Sequence, residues 1–195
     1  MSERAETPKT LCPECGFVAG ALFGILAGLV LAVAFWPRSA EARWSPGAAA
    51  RITEHRAIFL RAAEATGTDP VLLASIAAHE THARAVAGGK LDADGQPTCF
   101  GPLQVHWPTW AGHLRAAGVA SEPKELLDFG VGVLAGARIL AYKQRTYRPR
   151  TQALLVCLFG VGGGALGFET DCKYSRDVLA NWEPALWALW RGRGR

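Results

Sequence analysis

The cysteine, histidine and aspartate patterns that mark a metalloprotein are all incomplete in this chain. Cys12 and Cys15 form one Cys-Pro-Glu-Cys pair, half of a zinc ribbon, but tetrahedral zinc needs four ligands and no second pair lies nearby. One head cannot close such a site; two heads in a dimer could. His79-Glu80-Thr81-His82 separates its histidines by three positions, whereas a zincin helix needs four to bring both to one face. Asp92-Ala93-Asp94-Gly95 opens like a calcium loop but lacks the later ligands and the closing glutamate. The cations are scattered and no recognition module accompanies them, so a net charge of +4 does not point to nucleic acid.

Charge is scarcest near the N-terminus. Twenty residues from Phe17 to Trp36 carry no charged side chain, and at about 1.5 Å per residue they cover the roughly 30 Å hydrocarbon core of a bilayer. The stretch reads as a transmembrane helix and divides the chain into a head, 1–16, a span, 17–36, a linker, 37–48, and a folded domain, 49–195. Gly16, Gly20, Gly24 and Gly28 would each cost about 1 kcal/mol in a soluble helix. In lipid the same stripe lets a second helix approach closely, which predicts a homodimer through these glycines. A weakly apolar anchor that leaves the bilayer is the other use of the stripe. A cleaved signal peptide, cut near Ser39-Ala40-Glu41-Ala42, is the rival reading of the whole segment. Arg38, Arg43, Arg51 and Arg56 outnumber Arg4 and Lys9, so cation counting alone places the domain inside the cell, against the function developed below.

The domain holds Cys99, Cys157 and Cys172, an odd number, so an oxidising compartment leaves one pair and one thiol. Cys157 lies within the apolar run from Ala153 to Phe159 and reads as core, which makes Cys99 with Cys172 the expected bond.

Two helices open the domain. The first, over about 49–66, puts Ile52, Phe59, Leu60 and Ala63 on one side and closes at Gly67. The second starts on Asp69 as N-cap with Pro70 at the first helical position and is expected to reach about Ala85. Leu73, Ile76 and Ala77 precede Glu80 by seven, four and three residues, so its carboxyl shares their apolar face. Such surroundings disfavour the charged form and raise the pKa, which suits a proton donor to a glycosidic oxygen. A purely structural role, pairing with Arg84 one turn on, is the alternative.

Further motifs follow in order. Asp69-Pro70 through His79-Glu80-Thr81, then Gly101-Pro102-Leu103-Gln104, then Gly136-Ala137-Arg138-Ile139-Leu140, then Leu158-Phe159-Gly160-Val161-Gly162, and finally Tyr174 to Leu179 span most of residues 50–180. In this order and spacing the domain resembles the catalytic domain of soluble-type lytic transglycosylases and the related goose-type lysozymes. The resemblance implies an all-α, lysozyme-like fold behind one transmembrane helix. It puts Glu80 at the catalytic acid/base position with Thr81 in place of a serine. Gly101, Leu103 and Gln104 match the family's Gly-Leu-Met-Gln motif, whose glutamine faces the sugar. Phe159 stands where the family has tyrosine and Gly160 where it has asparagine; Ile139 replaces a second tyrosine. Tyr174 opens the closing Tyr-x-x-x-Val-Leu helix. Asp94, with Asp92, lies about where goose-type enzymes carry an acidic partner, and His106 stands where they have an aspartate. Trp107 and Trp110, just after the glutamine, are candidate sugar platforms or core residues.

The chemistry implied is cleavage of the N-acetylmuramic acid to N-acetylglucosamine bond of peptidoglycan by a single glutamate, which leaves a 1,6-anhydro end and needs no metal or cofactor. Glycan strands are then the partner, and the domain works on the periplasmic or external face of the inner membrane. Three alternatives stay open: a non-catalytic peptidoglycan-binding scaffold, a hydrolytic goose-type lysozyme, and a phage endolysin with a releasable signal anchor. Trp182, Trp187 and Trp190 precede Arg191-Gly192-Arg193-Gly194-Arg195, a tail suited to anionic lipid or wall polymer, or simply solvated.

Overall fold

The computed structural model describes residues 45–160 and 172–190. The predicted head, span and most of the linker lie outside them, so Cys12, Cys15 and the Gly16 to Gly28 stripe are outside the described residues too. Among the described residues no helix is long and apolar enough to cross a membrane.

The described residues are mainly helical, as expected. Helices α1 (Pro46–Glu54), α2 (Arg56–Thr66) and α3 (Pro70–Thr81) come first, then strands β1 (Ala87–Leu91), β2 (Pro97–Phe100) and β3 (Val105–His106). Helix α4 (Trp107–Ala116), a 3-10 turn (Pro123–Leu127), and helices α5 (Phe129–Tyr147), α6 (Gln152–Gly160), α7 (Lys173–Leu179) and α8 (Trp182–Trp190) complete the order.

The expected first helix is two. Ser45 caps α1, its Oγ accepting from the Ala48 amide at 3.1 Å. The chain then breaks at His55 (φ −93°, ψ 14°), whose ring stacks on Phe129 of α5 with centroids 4.0 Å apart. No local breaker announces this; the stacking partner lies 74 residues away in sequence. Helix α2 closes as expected on Gly67 in the left-handed region (φ 72°).

Helix α3 is the post around which the rest packs. Asp69 Oδ1 accepts from the Val71 amide at 2.7 Å and Pro70 occupies the first turn, so two of the orphan amides are dealt with locally. Residues Val71 to Ala78 are buried without a break. The helix therefore has no polar face, and Leu73, Ile76 and Ala77 are fully enclosed. Each large apolar side chain so enclosed contributes roughly 1.5–3 kcal/mol.

The helix also ends four residues before the expected Ala85. His82 and Ala83 both take φ 55°, a left-handed pair of non-glycines. Tertiary contacts hold them: Arg51 Nε of α1 donates to the His82 carbonyl at 2.9 Å, and Ala83 is fully buried.

The segment from Ala87 to Phe100 is a hairpin, the largest departure from an all-helical reading. Strands β1, β2 and β3 form an antiparallel sheet in that order, with Gly88 opposite Cys99 and Cys99 opposite His106. Its first turn is tied by Asp92, whose Oδ1 accepts from the amides of Asp94 (2.9 Å) and Gln96 (2.8 Å).

One disulfide joins α6 to the start of α7, Cys157 to Cys172, and Cys99 is free. This corrects the expected Cys99–Cys172 pair. Cys157 is indeed core, but α6 and α7 pack side by side, so a buried thiol there meets Cys172, while β2 carries Cys99 to a different wall. A cross-link between residues 15 apart restricts the unfolded chain by about 3 kcal/mol. Reduction, or Cys157→Ala, is therefore expected to lower Tm by about 6–12 °C in a melt followed by circular dichroism; an unchanged melt would show the bond to be dispensable.

Candidate active site

Glu80 sits on the last turn of α3 and opens into a cavity of about 440 Å³. Thr81, the next residue, fixes that turn: its hydroxyl donates to the Pro102 carbonyl at 3.0 Å and accepts from the Arg84 amide at 3.0 Å. Helix end and Gly101–Gln104 turn are thus locked together, which sets the acid against the turn. Arg84 does not pair with the acid, because its Nε donates to the Thr81 carbonyl at 3.1 Å.

The Glu80 carboxyl is pushed above its ordinary value chiefly by burial, and is pulled back by the Tyr174 hydroxyl and by His79. Tyr174 donates to Glu80 Oε1 at 2.5 Å, and its ring meets His79 edge-on with centroids 5.1 Å apart. Burial, then the neighbouring Glu80 charge, push the Tyr174 hydroxyl well above its usual range, so it stays a donor. Because the folded-state pKa of Glu80 exceeds the unfolded one, its contribution to stability is complete below about pH 4.5 and is lost as pH rises through the folded value. Tyr174→Phe removes a bond that favours the carboxylate. The Glu80 midpoint, followed by carbon NMR of the labelled carboxyl, is expected to rise further; a fall would show that the phenol acts by excluding water instead.

Opposite the acid, Gln104 takes φ 48° and folds its side-chain amide back, Nε2 donating to the carbonyls of Val86 (3.0 Å) and Gly101 (3.1 Å). Its carbonyl oxygen rests over Gly88 of β1, where an added Cβ would come within 2.6 Å. The remaining wall is Phe159 and Gly160 from α6, Ile139 from α5 and Trp110 from α4, with Cys99, His106 and Thr109 along the sheet side. His106 Nδ1 and Thr109 Oγ1 lie 2.8 Å apart. Burial pushes the Cys99 thiol up, a bond with Thr98 opposes this, and the Glu80 charge adds to it, so Cys99 is a protonated thiol. Among the described residues that line the cavity, Glu80 supplies the one carboxyl group.

Of the residues nominated from the sequence, Glu80, Gln104 and Phe159 line one cavity in the structure, and Tyr174 joins them through its bond to Glu80. The other candidates stand elsewhere. Leu103 is fully buried beneath Gly136, and Gly101 packs against the Leu126 carbonyl, so both build the turn rather than face the space. Asp94 is exposed at the hairpin tip, outside the lining, and the goose-type acidic partner finds no counterpart in it. Trp107 lies under the Arg115 guanidinium (5.1 Å) against buried Phe100, Val105, Leu114 and Leu126, and Trp110 is the tryptophan that lines the cavity.

One residue had no sequence signal. Lys143 of α5 is 1 % exposed, and its Nζ donates to the carbonyls of Leu158 and Phe159 at the end of α6. Burial pulls its pKa down to about 8. No known protein family matches the chain, and no curated protein is significantly similar to it.

Proposed function

We propose that this chain is a membrane-anchored, lysozyme-like lytic transglycosylase that cuts peptidoglycan glycan strands between N-acetylmuramic acid and N-acetylglucosamine. The observation that carries the reading is a single desolvated glutamate, oriented by a tyrosine hydroxyl, in a cavity of saccharide size whose described lining holds no other carboxyl. Hydrolytic glycosidases with two carboxylates need the second about 5–9.5 Å from the first. A one-carboxyl site fits the intramolecular route.

In that route Glu80, protonated because burial favours its neutral form, gives its proton to the glycosidic oxygen as the bond to C1 breaks. The resulting carboxylate then takes the proton from the 6-hydroxyl of the same muramic acid while O6 closes on C1. The proton returns to Glu80, and the products are a free sugar end and a 1,6-anhydro end. Tyr174 holds the carboxyl in place through both halves. Trp110 and Phe159 offer flat apolar faces for sugar rings, and Gln104 offers a carbonyl oxygen at the rim.

The disulfide supports an oxidising location, and hence the periplasmic or external side of the inner membrane, with 17–36 as a single span able to self-associate. A non-catalytic wall-binding scaffold is the second reading, favoured by Phe159 and Gly160, which remove polar groups from the wall. Mass spectrometry of digested sacculi tests the proposal. Ends lighter by one water than reducing ends support it, reducing ends alone indicate a hydrolase or a signal-anchor endolysin, and undigested sacculi leave the scaffold.

A further inference from the structure

We infer that Lys143 is a positioning residue for the cleft: by holding the last carbonyls of α6, it fixes the wall on which Tyr174 and, through it, Glu80 depend. The inference rests on the glycan-cutting reading above for what the cleft binds, and on geometry for everything else.

An enclosed ammonium is costly to desolvate, and a methionine would fill the same volume without that cost. Lys143 is nevertheless almost fully enclosed, and among the described residues its nitrogen meets no carboxylate. What it meets is the carbonyl end of a helix, the negative pole of α6, through Leu158 and Phe159. Two aromatic faces complete its surroundings, Trp110 at 5.3 Å and Phe159 at 5.9 Å from ring centre to nitrogen. Both of those rings line the cleft. The ammonium therefore sits behind the wall and does not itself touch a ligand.

From that nitrogen a continuous set of contacts leads to the acid. The carbonyls it holds belong to the turn that presents Gly160. Gly160 lies flat against the Tyr174 ring, so close that a Cβ there would stand 2.6 Å from Cδ1. The hydroxyl of the same ring donates to Glu80 Oε1. A wall that shifts outward at Gly160 frees the ring, and a free ring no longer aims the carboxyl. Helix α6 is apolar from Ala153 to Phe159; the Cys157–Cys172 disulfide ties it to α7, but it has no polar side chain there to bond its last carbonyls. Lys143, one turn beyond the cavity-lining Ile139 on α5, supplies that fixture from the neighbouring helix.

The test measures binding and fold separately, in the full-length chain. Isothermal titration of a chitooligosaccharide into Glu80→Gln protein gives the cleft's affinity without turnover. Adding Lys143→Met is expected to weaken binding by about tenfold, the loss that follows from one charge-assisted contact. Its Tm should stay equal or rise, because an apolar chain replaces a buried charge. Adding Lys143→Gln, which keeps a donor near the two carbonyls, is expected to recover part of the affinity and serves as the measured variant if the methionine protein does not fold. Unchanged affinity in Lys143→Met, or in Lys143→Gln where the methionine protein does not fold, overturns the positioning role while the glycan reading stands, and so does an affinity loss that tracks a falling Tm. Absence of binding with Lys143 intact overturns both.

Discussion

Glu80→Gln is expected to leave a folded protein that clears no peptidoglycan in a zymogram. The amide is the same size as the carboxyl, and the Tyr174 hydroxyl can donate to its oxygen as it does to Glu80 Oε1, so the helix end keeps its contacts. What is lost is the transferable proton. General acid and base catalysis by a positioned group contributes about 10²–10⁴-fold, and in the proposed route one group serves both halves of the reaction, so the upper part of that range applies. Two further signs follow from the raised pKa. Wild-type activity should fall as pH climbs through the folded-state value, because the donor is then empty. Stability should change in the same direction, since the buried carboxylate is disfavoured above that pH, and the glutamine variant should lack this alkaline loss. Clearing by the glutamine protein at the wild-type rate would remove Glu80 from the chemistry altogether.

The largest effect on stability is expected from Gly101→Ala. Gly101 takes φ 81°, a conformation that costs an alanine about 1–2 kcal/mol. An added Cβ would also stand 2.5 Å from the Leu126 carbonyl oxygen and 3.3 Å from the Gly132 Cα, atoms of backbone that cannot swing aside like a side chain. A Cβ added at Gly132 would stand the same 2.5 Å from that oxygen, so the turn, the 3-10 segment and α5 meet at one point with no spare volume. Overpacking of this kind costs about 1–3 kcal/mol more. A loss of about 2–5 kcal/mol in a urea titration is therefore expected. The loss of activity should exceed it, because Pro102 and Gln104 on the same turn brace Thr81 and face Glu80. Ordinary stability in Gly101→Ala would mean that the three segments can separate without cost.

How much of this was legible in the sequence depends on whether the deciding interaction is local. Asp69 with Pro70 and the glycine at 67 announce helix boundaries because the atoms that satisfy the backbone are within four residues. Glu80 is legible for a similar reason, since spacing along one helix is enough to aim it, whereas Gln104 stands out only through the motif that it resembles. The break at His55 and the early stop of α3 are not legible, because Phe129 and Arg51 impose them from afar and no glycine or proline marks the place. Strand β1, Ala-Gly-Gly-Lys-Leu, has almost no strand preference of its own and exists by pairing with β2. The cysteine pairing required knowing which helices are neighbours. Lys143 is the deepest omission: a lysine in a helix reads as solvated, and only the fold reveals the carbonyls that enclose it.

The two flanks of the cleft differ in how freely they can vary. Helix α3 touches protein on every side from Val71 to Ala78, so nearly any replacement there disturbs the core and with it the acid. The facing hairpin has Leu91, Asp92 and Asp94 in solvent at its tip, where substitutions meet little resistance. Residues 91–96, which do not line the cleft, are thus free to change from one chain to the next without disturbing the helix that carries Glu80.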